Sequence, residues 1–241
     1  MSPVADVWVY LSASPLLWLT LTLVAYIVAF TLYEGSRFNP LVNPVAISIL
    51  LLTGLLAGTG TPYATYFEGA QFVHFLLGPA VVGLAVPLAR EWQRVRRLAL
   101  PIAGALLAGS AVAALSAVGI AWALGASPDT LASIAPKSVT APIAMGIAET
   151  IGGVPALAAV FAVTTGVLGA VTGKYVLDAC RVTGWPARGF ALGLAAHGIG
   201  TARAFQVSGE AGAFAGLAFA LHGLFAALAF PLGRWLVQSV F

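Results

Sequence analysis

Residues 129–149, DTLASIAPKSVTAPIAMGIAE, and residues 186–210, PARGFALGLAAHGIGTARAFQVSGE, decide the fold. Each is apolar enough for a bilayer, and each is interrupted. The first holds Pro136 and Pro142, which remove amide donors and disturb the turns before them, and it is followed by Gly152 and Gly153. The second holds Gly198 and Gly200, which make irregular backbone cheap around His197. Irregular backbone at membrane depth persists only where it is buried in protein or lines a wet cavity. Each stretch is therefore predicted to be a re-entrant hairpin or a broken helix.

The rest of the chain supplies the membrane frame. Of 241 residues, 60% are apolar and 8% charged, and the mean hydropathy is +0.98. A soluble domain carries about a quarter charged residues to keep its surface wet. Soluble enzymes, extracellular modules and DNA-binding domains are excluded on that ground. Six full spans are expected, near residues 15–33, 41–58, 71–89, 101–124, 154–172 and 211–232. Residues 1–14 contain no Lys or Arg ahead of the first run, so that run is expected to stay as a span. Alanine and glycine dominate the spans. The glycine pairs Gly54/Gly58, Gly169/Gly173, Gly189/Gly193 and Gly212/Gly216 are read as close helix packing in lipid.

The pI near 9.3 reflects an excess of only three charges. Four of the eleven cations, Arg90, Arg94, Arg96 and Arg97, fall in one short segment, which is a topology signal rather than a nucleic-acid surface. With that cluster in the cytoplasm, the fourth span ends on the outer face. If 129–150 then crosses, Lys174, Arg181 and Arg188 lie outside, against the positive-inside rule; if it dips and returns, they lie inside. The second irregular stretch then enters from the cytoplasmic side, giving two units of hairpin plus span in opposite orientations. TAPIA at residues 140–144 and TARAF at 201–205, 61 residues apart, are a faint echo of such a repeat. The expected fold is an all-α integral membrane protein of about six full spans plus two re-entrant or broken helices, in an inverted-repeat, elevator-like transporter architecture. One polytopic domain spans 1–241, with scaffold spans in 14–100 and a transport core in 101–241.

Ionisable groups inside membrane segments are costly and therefore point to function. Lys137, Glu149, His197, Arg203 and Glu210 all lie in or beside the irregular stretches. Each stretch offers one cation and nearby hydroxyls: Lys137 with Ser138 and Thr140, Arg203 with Thr201. That combination suits a small organic anion, and half-helix N-termini add a favourable dipole end. Glu149, His197 and Glu210 are the candidates for a coupled proton. Plainer readings stand beside these. Lys137 can snorkel to the headgroups, Arg203 can pair with Glu149 or Glu210, and His197 can be a neutral histidine bonded to a carbonyl. His74 and His222 read as helix-packing histidines.

No catalytic residue, cofactor or metal is expected. Cys180 is the only cysteine, which excludes a disulfide within the chain and any Cys-rich site. There is no P-loop or HExxH motif, and Gly198-Ile199-Gly200 lacks the third glycine and the βαβ context of a dinucleotide fingerprint. Ser138 with a distant His197 is a poor case for a hydrolase.

QFVHFLLGPAVVGLAVPL (71–88), PKSVTAPIAM (136–145), IGG (151–153) and AAHGIGTARA (195–204) together resemble the LrgB/CidB family, in order and over nearly the whole chain. The family usually shows KSVTTP in the first irregular stretch and Ser-His in the second; Ala141 and Ala196 stand at those places here. The resemblance implies two accounts. Bacterial members are described as holin-like or antiholin-like proteins that modulate murein hydrolase export and autolysis, often beside a small LrgA/CidA membrane partner. Plastid relatives are glycolate/glycerate transporters, and bacterial relatives have been linked to pyruvate uptake. The expected function is secondary transport of small monocarboxylates of the glycolate, glycerate, pyruvate or lactate type, proton-coupled, in the bacterial inner membrane as a homodimer. The alternative is a pore or regulator of autolysis.

Overall fold

The computed structural model describes residues 14–76, 79, 82–83 and 85–240. The regular structure among them is entirely helical, and the chain divides into two compact units, one up to Gly83 and one from Leu84 onward. The expectation from sequence draws its boundary later, at residue 100.

The first unit contains α1 (Pro15–Gly35), α2 (Pro44–Thr59) and α3 (Tyr63–Phe75). Asn43 caps α2 by accepting a 3.0 Å hydrogen bond from the Ala46 amide, with Pro44 in the first turn where its missing donor costs nothing. Gly60, at φ 65°, ends it. Trp18 is buried with its ring edge-on to Tyr66, 6.0 Å between centroids. A Cβ on Gly69 would lie 2.1 Å from the Pro15 carbonyl oxygen, so α1 and α3 approach at backbone distance. Part of the span expected over 71–89, and the side chain of His74, lie outside the described residues.

The second unit contains α4 (Ala85–Arg90), α5 (Trp92–Arg97), α6 (Ala99–Ala123), α7 (Pro128–Ile134), α8 (Ala141–Ile151), α9 (Pro155–Ala179), α10 (Trp185–Val207) and α11 (Gly209–Val240). Among the described residues, α1, α6, α9 and α11 are long and apolar enough to cross a membrane; α2 and α8 are apolar but shorter. The span expected at 41–58 is thus the 16-residue α2. Polarity is inverted relative to a soluble domain. Most of the buried apolar side chains are alanines, whereas Leu100 is 84% exposed and Leu115 72%. That distribution suits lipid as the solvent, with small residues at the helix contacts.

The first irregular stretch folds as α7, a turn over 135–140, and α8. Ser127 caps α7 by accepting from the Thr130 amide. Pro142 sits in the first turn of α8, where proline is tolerated, and Gly152, at φ 86°, ends it. The chain then comes back beside α7: Ser133 Oγ accepts a 2.8 Å bond from the Val154 amide, and a Cβ on Gly153 would lie 2.8 Å from the Ser133 nitrogen. The turn itself lines a cavity with the middle of α6 and of α11.

The second irregular stretch reverses within α10. Helical geometry fails at Ala196 (φ −123°, ψ 15°) and His197 (φ 41°, ψ −132°). Beyond that point the chain doubles back: a Cβ on Gly200 would lie 2.5 Å from the Leu192 oxygen, and Arg203 and Val207 share a cavity with Trp185 and Arg188. The first arm, 185–195, runs parallel to the start of α11. Added Cβ atoms on Gly189 and Gly193 would each lie 2.0 Å from the carbonyl oxygens of Ala211 and Ala215. It runs antiparallel to α9, whose Gly173 faces Leu192 and whose Gly169 faces Ala196. These pairs pack as the sequence suggests; Gly54 and Gly58 instead face open space.

The glycines flanking His197 do not carry the irregular backbone. His197 does, in a region of φ that costs a non-glycine residue about 1–3 kcal/mol. Gly200 is required for close approach, and Gly198 has nothing near its absent side chain.

Candidate functional site

The two reversals bring their tips toward one another through α9 and α11. From the second tip, His197 Nε2–H donates to the Ala162 oxygen in α9 at 2.9 Å. From α11, His222 Nδ1–H donates to the Leu194 oxygen in the last turn of the first arm, also at 2.9 Å. A carbonyl can only accept, so these contacts fix the protonated nitrogen of each ring. A neutral ring then keeps Nδ1 of His197 and Nε2 of His222 as acceptors. Thr201 Oγ1 donates to the His197 oxygen at 2.8 Å and braces the first turn after the reversal. His197, Thr201 and His222 are all buried.

From the first tip, Pro136 and Ser138 line a cavity of about 280 Å³ with His222, Ser110 and apolar side chains of α6 and α11. Lys137 is half-buried and does not line this cavity itself; its ammonium donates to Ser138 Oγ at 3.2 Å. Val139 packs in one buried cluster with Ala144, Ala158, Ala162 and Ala226, which ties the first tip to the α9 turn that His197 bonds. Thr140 precedes α8 and makes no side-chain capping bond. The N-terminal ends of α8 and of the second arm of α10 both lie at the tips.

The remaining expected site residues lie elsewhere. Arg203 lines a separate cavity of about 290 Å³ with Lys174, Asp178 and Arg188, and its guanidinium reaches Gln206 Oε1 at 3.4 Å. Asp178 pairs with Lys174 at 2.8 Å and with Arg188 at 2.7 Å. Glu210 pairs with Arg94. Glu149 is exposed near the end of α8, about 12 Å along the helix from Ala141. The carbonyl-bonded reading of His197 is the geometry observed. His222, read as a helix-packing histidine, joins α11 to the first arm of α10 and also lines the cavity at the first tip. Periodicity gave no sign of that, because a lone histidine in an apolar helix does not show which face meets a chain reversal. Ser110 was likewise not legible as a site residue.

Arg94, Lys174, Arg188, Arg203 and Glu210 gather at one end of the second unit. The α5–α11 ion pair, the Asp178 pairs and the shared cavity link them. Arg234 approaches Gly152 at the other end. Among the described residues no three His, Cys, Asp or Glu side chains cluster.

A family model described as LrgB-like matches residues 22–235. The uncharacterized proteins YxaC and YwbG of Bacillus subtilis (strain 168) are each 35% identical to the chain. YxaC aligns over 90% of this chain and 94% of its own, YwbG over 88% and 94%. The holin-like protein CidB of Staphylococcus aureus (strain N315) is 29% identical over 90% of this chain and 94% of its own. No solved structure matches the chain significantly.

Proposed function

The chain belongs to the LrgB-like family, and from that premise and the geometry of the two tips we propose that it carries small monocarboxylates across a bacterial inner membrane. The observation that supports this is a small cavity lined by Pro136 and Ser138 of the first tip and by His222, with Lys137 bonded to Ser138 beside it and His222 bonded to the last turn before the second reversal. A lysine ammonium and two helix N-terminal ends favour a carboxylate. Cavities near 300 Å³ are at the lower limit of small-molecule sites, which suits substrates of the glycolate, glycerate, pyruvate or lactate type.

In this reading Lys137 neutralises the carboxylate, directly or through Ser138, while the acceptor nitrogen of His222, which lines the cavity, takes substrate or a coupled proton. Arg203, with Lys174 and Arg188, forms a positive vestibule at the cytoplasmic end. Glu149 and Glu210 are distant from the tips, so the histidines are the better candidates for coupling. The two stretches act as re-entrant hairpins of opposite orientation, and alternating access is an elevator-like movement of the unit that carries them. The proposal includes a homodimer and no chemical step.

The names of the relatives favour a second reading. Several are called holin-like protein CidB. Under that reading the chain is a holin-like or antiholin-like pore or regulator of autolysis, working with a small LrgA/CidA-like partner.

Uptake of labelled glycolate and pyruvate into liposomes containing the purified protein, under an imposed pH gradient, separates the two. Saturable uptake that anion competitors suppress and Lys137→Ala abolishes supports the carrier. Non-saturable leakage of unrelated anions, equal in wild type and Lys137→Ala, refutes the carrier and supports the pore.

A further inference from the structure

The cavity at the tips contains one polar group with no part in the arrangement above. Ser110 is the twelfth of the 25 residues of α6, near the middle of a helix long enough to span the membrane. It is 6% exposed, its Oγ has no hydrogen-bond partner, and it lines the same cavity as Ser138 and His222. Helical hydroxyls in this protein usually turn back onto their own helix. Thr20, Thr22, Ser48, Ser133, Thr172 and Thr201 each donate to the carbonyl four residues earlier, at 2.6–2.8 Å. Ser110 forgoes that bond, although a mid-helix position offers it.

A buried hydroxyl left unbonded is costly, and at mid-membrane depth bulk water does not relieve it. What satisfies Ser110 must come into the cavity. A hydroxyl both donates and accepts, so it suits a neutral polar atom better than the carboxylate for which Lys137 is the counter-ion. Ser138 Oγ already accepts from Lys137, which directs the charged end of a ligand toward the first tip and leaves Ser110 for its other end.

We propose that Ser110 is a ligand-binding residue. It hydrogen-bonds the second polar group of a short carboxylic acid and so selects 2-hydroxy acids over unsubstituted acids of equal length. This inference rests on the carrier reading. It adds a contact from α6, outside both interrupted stretches.

The test is competition in proteoliposomes, measuring how well unlabelled lactate and propionate suppress labelled lactate uptake. The two acids differ by one hydroxyl. Wild type should be suppressed better by lactate. Ser110→Ala should lower that preference by about 3- to 10-fold, the worth of one net hydrogen bond, while propionate suppresses as before. If Ser110→Ala does not yield folded protein, Ser110→Cys in a Cys180→Ala background reports instead. Its modification by a membrane-permeant maleimide should be slowed by lactate. Saturable uptake with an unchanged lactate-to-propionate ratio, or labelling that lactate does not slow, overturns the role of Ser110 and leaves the carrier standing. Wild type without saturable uptake overturns both.

Discussion

The two histidines present different nitrogens to their carbonyls, and this yields a crossed test of the tips. An asparagine amide reaches about where Nδ1 sits and a glutamine amide about where Nε2 sits, both as donors. His222, which donates from Nδ1 to the Leu194 oxygen, should be replaced well by Asn and poorly by Gln. His197, which donates from Nε2 to the Ala162 oxygen, should show the reverse order. Each wrong substitution deletes a buried hydrogen bond at 2.9 Å. Such bonds contribute about 0.6–1.7 kcal/mol inside membrane proteins, and an acceptor left unsatisfied costs about 1–3 kcal/mol. A loss near 1–2 kcal/mol corresponds to roughly 2–8 °C in melting temperature for a chain of this size. The assay is thermal unfolding of the purified protein in detergent, with His222→Asn, His222→Gln, His197→Gln and His197→Asn side by side. At position 197 the order is informative for a second reason. Asn tolerates a positive φ better than Gln, so backbone preference alone would rank His197→Asn above His197→Gln. Finding Gln the better substitute at 222, or the two substitutes equal at both positions, would refute the donor assignments.

Three further outcomes follow from the packing. Gly193→Ala places a methyl group against the Ala215 carbonyl, where neither backbone can yield cheaply; it should destabilise by about 1–3 kcal/mol or more in detergent unfolding, whereas Gly54→Ala, with open space around it, should be neutral or slightly stabilising. Ser133→Ala removes the acceptor for the Val154 amide and the link between α7 and the start of α9, so it should cost about 1–3 kcal/mol in the same assay and speed hydrogen exchange at Val154. Glu210→Gln loosens a partly exposed pair with Arg94 and should change stability by less than about 1 kcal/mol, with the pH dependence of uptake retained; its loss would return the coupling role to Glu210.

The places where the helices break were legible because proline and glycine act locally. Pro136, Gly152 and Gly200 all fall at or beside a turn, a helix end or a close backbone approach. That the chain reverses was argued from charge: a dip keeps Lys174 and Arg188 at the end where the Arg90–Arg97 cluster lies, and the ion pairs at that end agree with the argument. The partners at the tips were not legible. His222 and Ser110 each sit alone in an apolar helix, and nothing within four residues of either distinguishes a site from packing. Arg203 misled for the opposite reason. Its nearness in sequence to His197 suggested nearness in space, but six residues of helix carry it toward the Asp178 end.

The second tip is held by opposing terms of similar size. Its backbone at His197 lies in a region that costs about 1–3 kcal/mol, while the bonds to Ala162 and from His222 together return about 1–3 kcal/mol. The first arm has little freedom, because Gly189 and Gly193 bring it into backbone contact with α11. Any opening at this tip is thus confined to His197 and the second arm. Releasing the bond to Ala162 while relieving the strained dihedral costs less than the bond alone, so the free-energy difference between closed and open tip is small, and a minor open population is accessible to thermal energy. A ligand or proton that engages the free nitrogen of either histidine acts on the two groups that set this balance. A pore held permanently open would gain nothing from strain opposed by two specific hydrogen bonds, whereas a carrier that must close over its cargo and release it needs such a near-balanced element.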